Sequence, residues 1–576
     1  MSPSPSDPVA DAPLLAPPPP LGSGAVEESV LLWRALAALG ARDVVFAPGS
    51  RSAPLVHALQ DPEAARSITP HVRIDERAAA FTALGISRHD PRHPGVVATT
   101  SGTAAAHLHA AVLEAHHAGI PLIVLTADRP AELRGVGANQ TINQVGLYGD
   151  AVRFQADLPA PTAERATPTE LRLLASTVAR AIAAATGEDP GPVHLNLGFR
   201  DPLVPATPSA DAHDPDSATH SGARIVLTER RAPAPGPPVS VPITTRTVVV
   251  AGDGAGDAAR ALAERHHLPL LAEPASGARA GTSTIPGYPA LLREILAAPD
   301  HPLRPDRVIV HGRPTLSRPV VSGLLAAEDI DVVVVSPNPR WSDAARRARL
   351  VVPALVGAAH PTKDDARRSY LTAWQEAAGT PTAAADATDW QVQAALATWE
   401  ASGPEDVLVL AASALIRDLE QHAGTAVARV ISNRGVAGID GTIATAGGLA
   451  LARQRAANAG RVRVLLGDLA ALHDLTGLVV GGTETAPDLD IIVVDDNGGR
   501  IFGGLEHAVA PAEVLRRFFT TPHDIDLAAA ANALGVPART LTAAELPAAL
   551  AESTTGRRLL LVCSEPATRD RGASIQ

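Results

Sequence analysis

The chain of 576 residues contains one cysteine, Cys563, and one lysine, Lys363. A lone cysteine excludes an internal disulfide and fits a reducing compartment, so a cytoplasmic protein is expected. Following the apolar run Leu559–Val562, Cys563 reads as a small buried hydrophobe rather than a nucleophile. With so little lysine, nearly all positive charge is arginine. That usage looks like coding bias, but it also favours bidentate recognition of carboxylates. Basic residues are not in excess: 49 face 61 acidic ones, a net charge of −12, which argues against a nucleic-acid partner. No apolar run reaches the roughly 18 to 20 residues of a membrane span. The start, MSPSPSDPVADAPLLAPPPP, lacks the basic beginning and long apolar centre of a signal peptide. G-x-S-x-G, P-loop and Cys/His metal spacings are also missing.

What remains is an ordinary globular composition, 46% hydrophobic and 19% charged, in a chain long enough for about two to four domains. Residues 1–24 read as a disordered proline-rich tail. Val26, Val30, Trp33 and Ala37 fall at helical spacing, with Gly40 as a stop. From there strand and helix alternate: Val44–Ala47, Val72–Ile74, Glu76–Ser87, Val96–Ala98, Thr103–His117, Leu122–Leu125, Glu170–Ala185 and Val193–Leu197. Alternation of this kind predicts a parallel sheet covered on both faces. Residues 25–203 are therefore a first α/β domain, and 204–242, rich in Pro, Ser, Asp and His, a linker. A second α/β domain (243–362) has strands near Thr247–Ala251, Pro269–Ala272, Arg307–His311 and Asp331–Ser336. A polar, alanine-rich linker (363–389) leads to a third (390–576), with strands at Val407–Leu410, Ala428–Ile431, Arg461–Leu466 and Asp490–Val494.

Two patterns imitate functional sites. Gly252-Asp253-Gly254-Ala255-Gly256 follows a strand and opens a helix, like a dinucleotide fingerprint with Glu273 as its ribose acid. Asp257 stands where a glycine or alanine is wanted, however, so a tight strand-to-helix turn is the better reading. The histidines His107, His109, His116 and His117 suggest a metal, but His109 and His116 lie about 10 Å apart along a helix, too far for one ion.

The stretch Gly467–Phe502 reads differently. The strand Arg461–Leu466 runs into Gly467-Asp468, and the strand Asp490–Val494 into Asp495-Asp496-Asn497-Gly498-Gly499. Neighbouring parallel strands would bring both acidic ends to one carboxyl edge, where open α/β folds bind ligands. Carboxylate and main-chain oxygens there suit Mg²⁺, which takes its remaining ligands from substrate phosphates. The spacing matches the GDG…NN signature of thiamine-diphosphate enzymes, with Leu469 for the second glycine and Asp496 for an asparagine. Such chemistry also needs a carboxyl beside the cofactor's aminopyrimidine, and Glu76, after a strand and at a helix start, fits that need.

In order along residues 26–565, the motifs PGSRS (48–52), IDER (74–77), TSGTA (100–104), TADRP (126–130), GANQ (137–140), GPVH (191–194), SNRG (432–435), GIDG (438–441), GDLAALHDL (467–475) and DNGGRIF (496–502) resemble those of the 2-succinyl-5-enolpyruvyl-6-hydroxy-3-cyclohexene-1-carboxylate synthases of menaquinone biosynthesis. Leu469, unusual for thiamine enzymes at large, is usual in that family. The resemblance implies a three-domain thiamine-diphosphate-enzyme fold. It also implies decarboxylation of 2-oxoglutarate and 1,4-addition of the succinyl unit to isochorismate. An alternative of the same cofactor class, a 2-oxoacid decarboxylase or acetohydroxyacid synthase, lacks the PGSRS, ADRP and GANQ set.

Carried onto this chain, the resemblance makes Glu76 the catalytic carboxyl. It assigns Asp468, Asp496 and Gly498 to Mg²⁺ or Mn²⁺, and Ser413, Ile439, Leu469 and Ala470 to the cofactor. Ser50, Arg51, Arg129, Gln140 and Arg318 would bind isochorismate, although Ser317 replaces the lysine that often precedes Arg318. Ser413 and Arg417 would hold the succinyl carboxylate, with Arg434 beside the reacting group. Ile501, Phe502 and Leu505 would line the pocket. Isochorismate carries two carboxylates and 2-oxoglutarate keeps its distal one after CO₂ loss, which explains why arginines should gather there. A homodimer or homotetramer with sites shared between chains is implied as well.

Overall fold

The computed structural model describes residues 13–206, 224–231, 234, 236–359 and 363–564. Their main scaffold is three wholly parallel sheets, each wrapped by helices in the α/β manner. The chain divides into two compact units, Met1–Pro233 with Val480–Thr485, and Ala234–Val479 with Ala486–Gln576.

The first unit holds one six-stranded sheet. Its strands are β1 (Asp43–Phe46), β2 (Thr69–Val72), β3 (Gly95–Thr99), β4 (Leu122–Asp128), β5 (Phe154–Leu158) and β6 (Pro192–Gly198), in the order β2-β1-β3-β4-β6-β5. Every residue of β4 and β6 is buried, as expected for central strands covered on both faces. The helix Gly24–Ala38 and the helix Pro168–Ala185 cover one side, with Trp33, Leu36, Leu174 and Val178 in a common core. Ser23 caps the first helix, and Thr167 with Glu170 forms a capping box on the second.

The second unit holds two large sheets and one small two-stranded one. Strands β7 (Thr247–Ala251), β8 (Leu270–Ala272), β9 (Arg307–His311), β10 (Asp331–Val335) and β11 (Ala348–Val352) pair as β8-β7-β9-β10-β11. Strands β12 (Val407–Leu410), β13 (Arg429–Ser432), β14 (Val462–Gly467), β15 (Leu489–Val494), β16 (Ala538–Leu541) and β17 (Arg557–Val562) pair as β13-β12-β14-β15-β17-β16. Alternate residues feed two cores. Leu408, Leu465, Ile492 and Leu560 point to one face of this last sheet, and Val407, Val464, Ile491 and Leu559 to the other.

Three stretches differ from their predicted form. Residues 13–24, placed in a disordered tail, are packed: Leu14–Leu15 pairs with Ile225–Val226, and Arg34 donates to the carbonyls of Ala16 and Pro17. The apolar Leu15 is what holds them, at 5% exposure. Residues 1–12 lie outside the described residues. Of the linker 204–242, Leu227 is buried in the first core and Val239–Ile243 pairs with Leu355–Ala359 in the second unit; residues 207–223 are not described. The linker 363–389 is mostly structure. Its helix Asp364–Ala378 inserts Tyr370 and Trp374 into the core of the five-stranded sheet. Two aromatics one turn apart anchor an otherwise polar helix, and losing a buried tryptophan costs roughly 3–5 kcal/mol. In addition, the helix predicted over 103–117 is broken at Leu108 into Thr103–His107 and His109–Ala118.

Candidate active site

Because all strands of a sheet are parallel, their carboxyl ends share one edge. In the six-stranded sheet of the second unit that edge carries Ser413 after β12, Arg434 after β13, Asp468 after β14 and Asp495–Gly499 after β15. Asp468 is buried, its Oδ1 accepting from the Leu469 N–H at 2.7 Å and its Oδ2 from the Gly498 N–H at 2.6 Å. The sequence pair Asp468 and Gly498 is therefore in direct contact. Gly498 has φ +146° and a β-carbon there would stand 2.4 Å from the Thr520 carbonyl oxygen, so only glycine fits.

The third predicted ligand lies otherwise. Asp496 accepts from Gln391 Nε2 at 2.7 Å, with Arg500 Nε at 3.7 Å, whereas Asp495 and His523 group with Asp468, their ligand atoms within 4.8 Å of one another. His523 Nε2 is 3.1 Å from Asp468 Oδ2. Asp495 and His523 were missed in the sequence. Asp495 adjoins the predicted ligand, but His523, in Thr521-Pro522-His523, carries no spacing signal. The acids oppose one another's ionisation. Burial, and then the charge of Asp468, push Asp496 up to about 7, and burial raises Asp468 as well. A divalent cation would relieve this crowding, so the donors fit Mg²⁺ or Mn²⁺. Leu469 and Ala470 open the short helix Asp468–His473, and Ile439 packs half-buried against the core beneath the sheet.

The same unit gathers arginines. Arg417 donates to the Ser413 carbonyl at 2.7 Å, and its pKa is lowered by burial and then by Arg434, with Arg318 adding to the effect. Arg434 is 3% exposed; Nη2 and Nε bond to Thr315, while Nη1 is buried without a partner. Arg318 is exposed and paired with Glu506 at 2.9 Å. Ile501 and Phe502 lie in the turn Arg500–Gly504, with Leu505 next to it and the Phe502 ring 5.6 Å from that of Phe519.

In the first unit, the corresponding edge carries Ser50 and Arg51 after β1, Glu76 beyond β2, Ser101 after β3 and Arg129 after β4. Asp75 caps the helix Glu76–His89, taking the N–H groups of Arg77 and Ala78. The half-buried Glu76 is thus released from capping. Arg51 donates to the Phe199 carbonyl at 3.0 Å; Arg129 bonds Ser101 Oγ, and Gln140 Nε2 donates to the Ser101 carbonyl at 3.0 Å. Burial and then the charge of Arg51 lower the pKa of Arg129, so this edge too has a pair of adjacent cations suited to a carboxylate. Ser50 is exposed in the loop beside them.

The two imitations resolve as ordinary structure. Gly252 sits where a β-carbon would be 2.1 Å from the Arg313 carbonyl carbon, and Glu273 is turned to backbone N–H groups rather than outward. His109 packs edge-on against Tyr148, and His116 Nδ1 is 2.9 Å from Arg153. Cys563 is partly buried against the core beneath the last sheet. No helix among the described residues is long and apolar enough to cross a membrane.

Residues 29–147 match the family model for the N-terminal TPP-binding domain of thiamine pyrophosphate enzymes. The chain is 44% identical to the 2-succinyl-5-enolpyruvyl-6-hydroxy-3-cyclohexene-1-carboxylate synthase of Kineococcus radiotolerans, over 94% of this chain and 96% of the relative. It is 41% identical to the synthase of the same name from Leifsonia xyli, over 94% and 97% of the two chains. Among solved structures, benzoylformate decarboxylase from Polynucleobacter necessarius shares the fold, with a TM-score of 0.65 at 19% identity, over 94% of this chain and 98% of that one.

Proposed function

The chain belongs to the family of 2-succinyl-5-enolpyruvyl-6-hydroxy-3-cyclohexene-1-carboxylate synthases, and from that membership we propose that it decarboxylates 2-oxoglutarate and joins the succinyl unit to isochorismate in menaquinone biosynthesis. It acts as a transferase in this reading, giving CO₂ and the adduct that the family is named for. The observation carrying it is the convergence of Arg417, Arg434 and Arg318 in the unit that also gathers Asp468, Asp495 and Asp496. Cations for a dicarboxylic substrate and acids for a metal–diphosphate occur together there.

When bound, thiamine diphosphate supplies the nucleophilic carbon and the electron sink for decarboxylation. Asp468, Asp496 and Gly498, with Asp495 and His523 beside them, would hold Mg²⁺ or Mn²⁺. Leu469, Ala470, Ser413 and Ile439 would bracket the cofactor. Glu76 would hold a proton against its aminopyrimidine. Ser413 and Arg417 would grip the distal carboxylate of 2-oxoglutarate, and Arg434 would stand beside the reacting group. Ser50, Arg51, Arg129, Gln140 and Arg318 would orient isochorismate. Ile501, Phe502 and Leu505 would keep water from the departing carboxylate, whose loss is favoured in apolar surroundings. The protein would work in the cytoplasm as a homodimer or homotetramer, with sites shared between chains.

The test is a two-substrate assay. Protein supplied with Mg²⁺, thiamine diphosphate, 2-oxoglutarate and isochorismate should release CO₂ and yield the adduct by mass spectrometry. Carboligation with pyruvate but not 2-oxoglutarate would instead make it an acetohydroxyacid-synthase-like enzyme.

A further inference from the structure

Glu273 directly follows β8 in the five-stranded sheet, is only 4% exposed and has no part in the proposed function above. One carboxylate oxygen, Oε1, accepts both the Thr315 N–H at 2.7 Å and the Leu316 N–H at 2.8 Å. Those bonds pin the start of the loop after β9. Thr315 in turn takes the guanidinium of Arg434, which belongs to the other sheet of the unit. Arg434 Nη2 donates to the Thr315 carbonyl at 3.0 Å and to Oγ1 at 2.9 Å, and Nε reaches Oγ1 at 3.3 Å. Two of the three guanidinium nitrogens are thus fixed, and Nη1 is left buried with no hydrogen-bond partner. A buried guanidinium held on one side and unsatisfied on the other is built to receive an acceptor. Arg417, whose charge is coupled to that of Arg434, marks where an anionic one belongs.

We propose that Glu273 and Thr315 form a positioning relay that presents Arg434 Nη1 to a substrate carboxylate. This rests on the functional reading above and assigns two further residues to it. Neither is a catalytic residue: Glu273 acts through the loop, and Thr315 through Arg434. The same loop continues into Ser317, buried with an unpartnered hydroxyl, and Arg318, so its placement governs three polar groups at once. Burial, and then the neighbouring Glu420, push the Glu273 pKa up to about 8. A side chain favoured in its neutral form should be replaceable by glutamine, which retains the accepting oxygen.

Four substitutions in the cofactor- and Mg²⁺-loaded enzyme, two of them also combined, test this. Thr315→Val removes the hydroxyl but keeps the carbonyl, and should lower kcat/KM for 2-oxoglutarate roughly tenfold, the scale of one lost hydrogen bond to a charged group. Glu273→Ala should lower it at least as far, and Glu273→Gln should stay within about twofold of the parent because the acceptor survives. In an Arg434→Ala background, Thr315→Val should add nothing, since its effect runs through the missing guanidinium. A merely stabilising contact would move the thermal midpoint in both backgrounds and leave kcat/KM alone; that result overturns the relay. So does a full Thr315→Val effect in the Arg434→Ala protein. A parent enzyme that does not decarboxylate 2-oxoglutarate removes the functional reading and the relay together. A normal parent with an unaffected Thr315→Val removes the relay alone.

Discussion

Strand for strand, the sheet of the first unit (β2-β1-β3-β4-β6-β5) and the six-stranded sheet of the second (β13-β12-β14-β15-β17-β16) are wound in the same order, and their carboxyl edges differ in charge chemistry. Compare the acid that ends β4 with those that follow β14 and β15. Asp128 is fully buried, but Arg134 Nε lies 3.1 Å away, and its oxygens also accept from the Asn196 side chain and the Arg129 N–H. That acid is already satisfied. On the other edge, Asp468, Asp495 and Asp496 crowd together with Arg500 no closer than 3.7 Å to Asp496. The winding offers a ligand edge twice; the local balance of acids and arginines decides which edge can take a cation. In the proposed reading, the first edge, with Glu76 and the Arg51 and Arg129 pair, would hold the proton and bind an anion.

The largest expected effect tests that division directly. Asp468→Ala should weaken Mg²⁺-dependent thiamine-diphosphate binding by on the order of a hundredfold or more, as when a buried charged contact loses one partner. Glu76→Gln should bind the cofactor normally by the same titration, while slowing hydrogen exchange at its reactive carbon by roughly 10²–10⁴-fold in NMR. If Glu76→Gln loses the cofactor as Asp468→Ala does, the edges do not divide the work.

A crossed pair gives the next effect. Arg417→Ala should raise the KM for 2-oxoglutarate by roughly 10–100-fold and that for isochorismate far less, on the scale of a charge-assisted contact. Arg129→Ala should do the reverse. Steady-state kinetics with each substrate varied in turn would expose swapped pockets as the opposite pattern.

The smallest effect concerns stability in the first unit. Glu28 is buried on the helix Gly24–Ala38, and desolvation, with the charge of Glu170 second, pushes its pKa from 4.5 to about 8. A folded pKa above the unfolded one gives a stabilising contribution that is full below pH 4.5 and lost as the pH climbs through about 8. Glu28→Gln should therefore raise the thermal midpoint by about 2–4 °C near pH 8 and gain nothing near pH 4.5. A gain that does not depend on pH would show that Glu28 is ionised within the fold.

Legibility along the chain followed burial. Central strands such as β7, β9 and β12 have the predicted bounds because a strand covered on both faces is a continuous apolar run. The edge strands β5, β11 and β16 were not anticipated: they are largely half-exposed, β5 and β16 mix polar with apolar residues, and pairing completes them as strands. The helix Asp364–Ala378 was hidden for a related reason, since only Tyr370 and Trp374 betray its inward face. In the candidate site, Asp468 and Gly498 could be paired because adjacent strands convert a sequence spacing into a contact. His523 reaches Asp468 through a return of the chain that no spacing rule describes.

The sequence by itself determined the alternation of strands and helices, the acidic strand ends Asp468 and Asp496, the placement of Glu76 at a helix start, and the family motifs. All of these are local, because hydrophobic period, capping and turn chemistry act within a few residues. Tertiary structure alone decided that Asp495 and His523 join Asp468, that Arg134 quiets Asp128, and that Thr315 holds Arg434 from 119 residues away. Charge balance and hydrogen-bond satisfaction depend on which groups share a small, dry volume, and only the folded chain assigns that.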